Sequence, residues 1–147
     1  MSKKSGKIAE RIAAFQGQAL DAHYLGFFDC FNDQLFYEAH DVLEELWLAD
    51  RQGPNGDFFK GLIQLAGAFV HLQKERLRPA AALFKLARAN LQKYPARHEQ
   101  LDVAAVLLCG EDEFHAVSLA HLIDQVGRAA TEHLGRPADT RARVVFA

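Results

Sequence analysis

Apolar positions along this chain recur every three to four residues and never in a sustained alternation, the periodicity of helices rather than strands. Two stretches carry the pattern most strongly. The first is Phe36 to Trp47, FYEAHDVLEELW. At about 100° per residue, Phe36, Ala39, Val42, Leu43, Leu46 and Trp47 fall on one side, and Glu38, Asp41 and Glu45 fall on the other. His40 and Glu44 read as polar residues inside the buried arc, beside Phe36 and Trp47. The second stretch is Phe58 to Leu72, FFKGLIQLAGAFVHL. Lys60 is its only charged residue, and Lys60, Gln64, Gly67 and His71 share one narrow stripe. A helix apolar on all other sides belongs in the middle of a bundle.

The remaining pattern fills in around these two. Met1 to Gly6 reads as a loose polar arm. Ile8, Ile12 and Phe15 predict a first helix from Lys7 to about Leu20, weakened at Gly17. Asp21 is positioned to cap a helix over residues 22–31, and Asn32-Asp33-Gln34 reads as a turn. Residues 50–56 (DRQGPNG) form the clearest loop, with Asp57 as the expected cap of the central helix, which runs to about Arg76. Pro79 is expected at the first position of the next helix, whose core face is Ala80, Leu83, Phe84, Ala87 and Leu91 and which Tyr94-Pro95 ends. Asp102 is expected to cap a short turn over 103–108. Residues 110–113 read as an acidic turn, and the spacing of Ala116, Leu119, Ile123, Val126, Ala130 and Leu134 predicts a last helix. The fold class is therefore all-α, a single-domain bundle of five to six helices around a central apolar one. In domain terms, 1–20 is an N-terminal arm and first helix, 21–135 the bundle, and 136–147 a tail.

Both central helices resemble a family known as a domain of unknown function, number 309. Phe31, Asn32, Tyr37, Glu38, Ala39, His40, Asp41, Leu43, Glu44 and Trp47 carry the resemblance, followed by Phe59, Gly61, Leu62, Ile63, Gln64, Ala66 and Ala68, then Leu83 and Ala87. It spans roughly 28–107. Two departures stand out. The family pattern has a glycine in the turn before the first motif where this chain has Gln34, so Asn32 or Asp33 is expected to take the left-handed conformation. The glycine that opens the third motif helix is also replaced, around Pro79. The resemblance implies an all-helical fold and no activity.

Composition narrows the function classes. The 147 residues suffice for one domain with a real core. With 17 basic and 19 acidic side chains and a net charge of −2, there is no basic excess for phosphate neutralisation, so no nucleic-acid partner is expected. No uncharged apolar run approaches the ~18 residues of a membrane span, so no membrane is expected. Lys3, Lys4 and Lys7 are not followed by an apolar region, so no secretory signal is expected either. Cys30 and Cys109 stand in apolar settings, as reduced, buried thiols of a cytoplasmic protein would. Phe27, Phe28, Phe58 and Phe59 exceed what a small core needs, which points to an interface and a homo-oligomer, a dimer in the simplest case.

The candidate binding cluster is Glu38, His40, Asp41, Glu44, Trp47, Lys60 and Gln64. A carboxylate inside the bundle needs a partner, and His40, four residues from Glu44, is the nearest. The pair reads either as a packing device or as the start of a site. On the first reading, His40→Ala should cost about 2–4 kcal/mol, as when one partner of a buried pair is removed. On the second, His40, Glu44 and His71 would hold a divalent metal between the two central helices, with Gln64 as a supporting donor, in a hydrolase-like enzyme. Glu38, Asp41 and Glu45 form either a solvated face or a docking surface for a basic partner. Trp47 reads as a core anchor and Lys60 as a side chain reaching water. His23, His98, His115, His121 and His133 lack metal spacing and read as surface or capping residues. No nucleophile–base or phosphate-loop motif is present, which favours a non-enzymatic module that binds a small molecule or a protein.

Overall fold

The computed structural model describes residues 3–107, so Cys109, the acidic turn, the helix expected over 116–134 and the tail lie outside the described residues. Within them the chain is helical almost throughout. Helix α1 spans Lys3–Ile12 and passes into a single 3-10 turn, Ala13–Phe15. Helix formation thus reaches into the segment expected to be a loose arm, and stops short of Gly17, which takes a left-handed φ of 82°. Helix α2 spans Ala22–Asn32. Asp21 caps it as expected: its side chain accepts from the His23 N–H at 2.7 Å. Helix α3 is Phe36–Ala49 and α4 is Gly56–Gln73. Asp57 does not cap α4; it lies in the first turn, where its negative charge still suits the helix dipole. Its carboxyl is held below its ordinary range by a hydrogen bond from Lys93, at 2.8 Å.

Helix α5 is Leu77–Leu91, two residues longer at its start than the proline suggested. Pro79 is tolerated there because amides of the first turn have no intrahelical partner to lose. A two-residue antiparallel ladder follows, β1 (Arg97–His98) with β2 (Leu101–Asp102), and then the short α6 (Val103–Leu107). No alternating pattern marks this hairpin, because the ladder is too short to have one. Its two central residues, Glu99 (φ 49°) and Gln100 (φ 59°), are both left-handed, as a type I′ turn requires.

Two of the helix ends are built alike. At the end of α2, the Leu35 amide donates to the Cys30 carbonyl (2.9 Å) and the Gln34 amide to the Phe31 carbonyl (3.0 Å). At the end of α4, the Arg76 amide donates to His71 (2.9 Å) and the Glu75 amide to Leu72 (3.0 Å). These are Schellman caps, and each needs a left-handed residue at its turning point. Gln34 (φ 61°) and Glu75 (φ 57°) occupy those points, so Gln34 itself makes the turn expected of Asn32 or Asp33. A side chain in this conformation costs roughly 1–2 kcal/mol, and glycine's extra chain entropy recovers only part of that difference. Gln34→Gly should therefore stabilise the fold by about 0.5–1 kcal/mol, read as a higher midpoint in urea with an unchanged slope.

Helix α4 is the hub. Phe58, Leu62, Ala66, Ala68 and Phe69 are each at most 1% exposed. The Phe69 ring stacks on Phe36 of α3 (5.0 Å) and meets Phe31 of α2 (5.1 Å) and Phe84 of α5 (5.4 Å) edge-on. Phe27, Phe28, Phe58 and Phe59, expected at an interface, are all buried within this one core. Helix α5 lies against the stripe that holds Gln64 and Gly67. A Cβ on Gly61 would stand 2.9 Å from the Leu91 Cγ, so glycine lets the two helix backbones approach.

Candidate functional site

The acidic side of α3 is covered by α1. Ile8 and Ile12 occur four residues apart on α1, and Lys4, Lys7 and Arg11 line the strip beside them. Both isoleucines are buried, at 4% and 3% exposed. Their seat exists because Gly26 of α2 has no side chain: a Cβ there would lie 2.6 Å from the Ile12 Cγ2 and 3.3 Å from Val42. With α1 held so close, the Lys4 ammonium reaches Asp41 at 3.1 Å and Glu44 at 3.3 Å. The hydrogen bond to Asp41 is the largest influence raising the Lys4 pKa above its usual value. Between α1 and α3 a groove of about 390 Å³ remains, lined by Lys4, Lys7, Ile8, Arg11, Glu38, Asp41 and Val42.

His40 and Glu44 are not buried. Their side chains are 33% and 31% exposed, and their closest approach, Nε2 to Oε2, is 3.8 Å. On the helix wheel the buried arc runs from Val42 through Leu43 to Phe36. His40 and Glu44 lie about 40° and 80° beyond Phe36, past the edge of that arc. The His40 Nδ1 pairs with the Asp41 Oδ1 at 3.2 Å, while Glu44 has Lys4 as a second partner. Removing one member leaves no uncompensated buried charge. His40→Ala should thus cost less than ~1 kcal/mol by urea unfolding, well below the 2–4 kcal/mol range expected of a buried pair.

The other candidate residues are dispersed. Glu38 joins Asp41 in the groove. Glu45 accepts from the opposite edge of α3, where the His23 Nε2 stands 3.0 Å from its Oε1, so Asp41 and Glu45 are engaged rather than simply solvated. Trp47 packs, half-buried, against the core. Lys60 is exposed on α4, in keeping with a side chain reaching water. Gln64 turns to α5, accepting from the Asn90 Nδ2 at 2.8 Å, and is thereby committed away from His71. His71 is half-buried with an Nδ1 that has no hydrogen-bond partner. Among the described residues, no group of three or more histidine, cysteine, aspartate and glutamate side chains is arranged to hold a metal ion. Cys30 is fully buried and free, and burial pushes its thiol up to about 11, so it stays protonated at neutral pH.

A second polar cluster was not legible in the sequence. The His98 Nε2 is 2.6 Å from the Asn55 Oδ1, and the Asn55 Nδ2 donates to the Glu99 Oε1 at 3.2 Å. The Tyr24 hydroxyl donates to the Glu99 carbonyl at 2.9 Å, and burial holds that phenol well above its ordinary pKa. The Tyr94 hydroxyl donates to the Pro54 carbonyl (2.8 Å) and accepts from the Phe58 N–H (3.0 Å). The Phe58 and Tyr94 rings lie 4.7 Å and 4.8 Å from that of His98, which is therefore neither a surface nor a capping residue. This network ties the hairpin to the start of α4. Its members are some forty to seventy-five residues apart, beyond the reach of helical periodicity.

Among the described residues, no helix is long and apolar enough to cross a membrane. No curated protein and no solved structure matches the chain. A family model matches from Tyr24 of α2 through α3 and α4 to Leu83 of α5: residues 24–83 match the family described as Domain of unknown function (DUF309), the family these helices resemble in their residues.

Proposed function

We propose that this protein is a non-enzymatic helical binding module and that its ligand seat is the groove between α1 and α3. The observation that carries this reading is the make-up of the groove. Lys4 is occupied by Asp41 and Glu44, whereas Lys7, Arg11 and Glu38 form no ion pair among the described residues, and Ile8 and Val42 supply an apolar floor. Arg11 also hydrogen-bonds the Cys30 thiol, but two cations without a carboxylate partner against one carboxylate favour an anionic head group, and the floor favours an apolar body attached to it. Cys30, buried and protonated, offers no nucleophile, which supports binding over turnover. A reduced thiol also suits a cytoplasmic setting. The rival reading, a divalent-metal hydrolase on His40, Glu44 and His71, draws no support from the arrangement of those residues.

The test is thermal unfolding of the full chain with four probes: acetate, octanoate, octylamine and inorganic phosphate. Octanoate should raise the melting temperature most. A ligand at a hundred times its Kd stabilises by about 2.7 kcal/mol. The rise should vanish in Arg11→Glu and persist in Lys60→Glu, which lies outside the groove. No rise with any probe, or a rise that survives Arg11→Glu, overturns the reading.

A further inference from the structure

We propose that Cys30 is a positioning residue of the groove: its thiol holds the Arg11 guanidinium in place and thereby sets the affinity of the seat for an anion. The inference rests on the binding seat proposed above and names the group that organises it. Three observations converge on it. First, Arg11 is an exposed side chain in the last turn of α1, and it lines the groove without a carboxylate partner among the described residues. An exposed arginine samples many rotamers, and a ligand that must fix one of them binds more weakly for it. Second, the guanidinium donates a hydrogen bond to the Cys30 sulfur, which fixes one arrangement before any ligand arrives. Of its five N–H donors only part is used there, and the rest can form the paired bonds that a carboxylate accepts. Third, the packing of α1 brings the two residues together. Ile12, next to Arg11, is 3% exposed and seated on Gly26 of α2. Cys30 stands four residues beyond Gly26, one turn along the same face of α2. The seat that locks Ile12 therefore carries Arg11 to Cys30.

The chemistry of the holding group matters as much as its place. Lys4, at the rim, is held by the carboxylates of Asp41 and Glu44, which offset its charge. Arg11 is held by a thiol. Burial, helped by the negative charges of Asp29 and Glu38, keeps that thiol neutral. A neutral, weak acceptor restrains the guanidinium without cancelling its charge, so the charge stays available to a head group. This also gives a buried, unreactive cysteine a role in binding that its burial alone would not suggest.

The experiment uses the full chain, unsubstituted and as Cys30→Ala and Cys30→Ser. Nitrogen-15 relaxation of the Arg11 Nε–H is measured without ligand, with Arg78, an exposed arginine of α5, as the mobile reference. Arg11 should be more ordered than Arg78 in the unsubstituted chain, fall to the level of Arg78 in Cys30→Ala, and regain its order in Cys30→Ser, whose hydroxyl also accepts. Octanoate should bind the alanine variant about three- to tenfold more weakly, the worth of one hydrogen bond, and the serine variant nearly as well as the unsubstituted chain. A variant that merely loosened the core would not show this rescue or single out Arg11. An Arg11 as mobile as Arg78 in the unsubstituted chain overturns the proposal, as does order that survives Cys30→Ala or an octanoate affinity unchanged by it. If octanoate does not bind the unsubstituted chain, the seat itself is overturned, and the relaxation data alone decide whether Cys30 holds Arg11, so the two failures are distinguishable.

Discussion

Phe69→Ala is expected to lower the free energy of unfolding by about 3–5 kcal/mol, the range for removing a fully buried aromatic ring. Phe69 is 0% exposed and touches a ring from each of α2, α3 and α5. Its loss opens one cavity at the meeting point of four helices, and no single helix can move to close it without leaving the others. A domain of this size is stable by only about 5–15 kcal/mol, so the variant should be near the edge of folding at ambient temperature. Urea denaturation followed by circular dichroism measures it. Phe69→Leu, which keeps most of the volume, should recover more than half of the loss. A cost below ~1.5 kcal/mol for the alanine variant would show that the ring is not at the centre of the core.

The second large effect concerns α1. Ile12→Ala should cost about 2–4 kcal/mol, because the side chain is 3% exposed and fits against the backbone of Gly26 with no slack. The damage should be local in character. Amide exchange should accelerate along α1 far more than along α4, since the attachment of α1 depends on two side chains. Lys4→Ala, by contrast, removes two ion pairs to partners that remain about one-third exposed, and should cost less than ~1 kcal/mol. If the lysine variant frees α1 and the isoleucine variant does not, charge rather than packing holds the helix.

The helical architecture was legible because it rests on local signals. Periodicity located α2 to α5, Asp21 announced a cap, and Tyr94-Pro95 announced an end. The ends that were misjudged depend on backbone shape rather than side-chain type. Nothing in Gln34 or Glu75 advertises a left-handed conformation, and Glu99-Gln100 is an unusual pair for a tight hairpin, where glycine or asparagine is the common choice. The candidate site was legible as a set of residues and not as an arrangement. The wheel placed Glu38, Asp41 and Glu45 together, but it drew the buried arc of α3 too wide and so took His40 and Glu44 inside. A wheel also shows only one helix at a time. That the acidic side of α3 would be met by the lysines of α1 depends on Gly26, a residue whose role is to be absent from the contact. Gln64 illustrates the same limit: its stripe on α4 was visible, but the partner helix was α5 rather than α3.

Nuclear magnetic resonance of the full chain titrated with octanoate tests the central claim most directly. If the groove between α1 and α3 is the binding seat, the amide and methyl shifts that move should be those of Lys7, Ile8, Arg11, Glu38, Asp41 and Val42, the residues that line it. Shifts that gather instead around Asn55, Tyr94 and His98, or that scatter over the surface, would contradict the account and move the search to the start of α4.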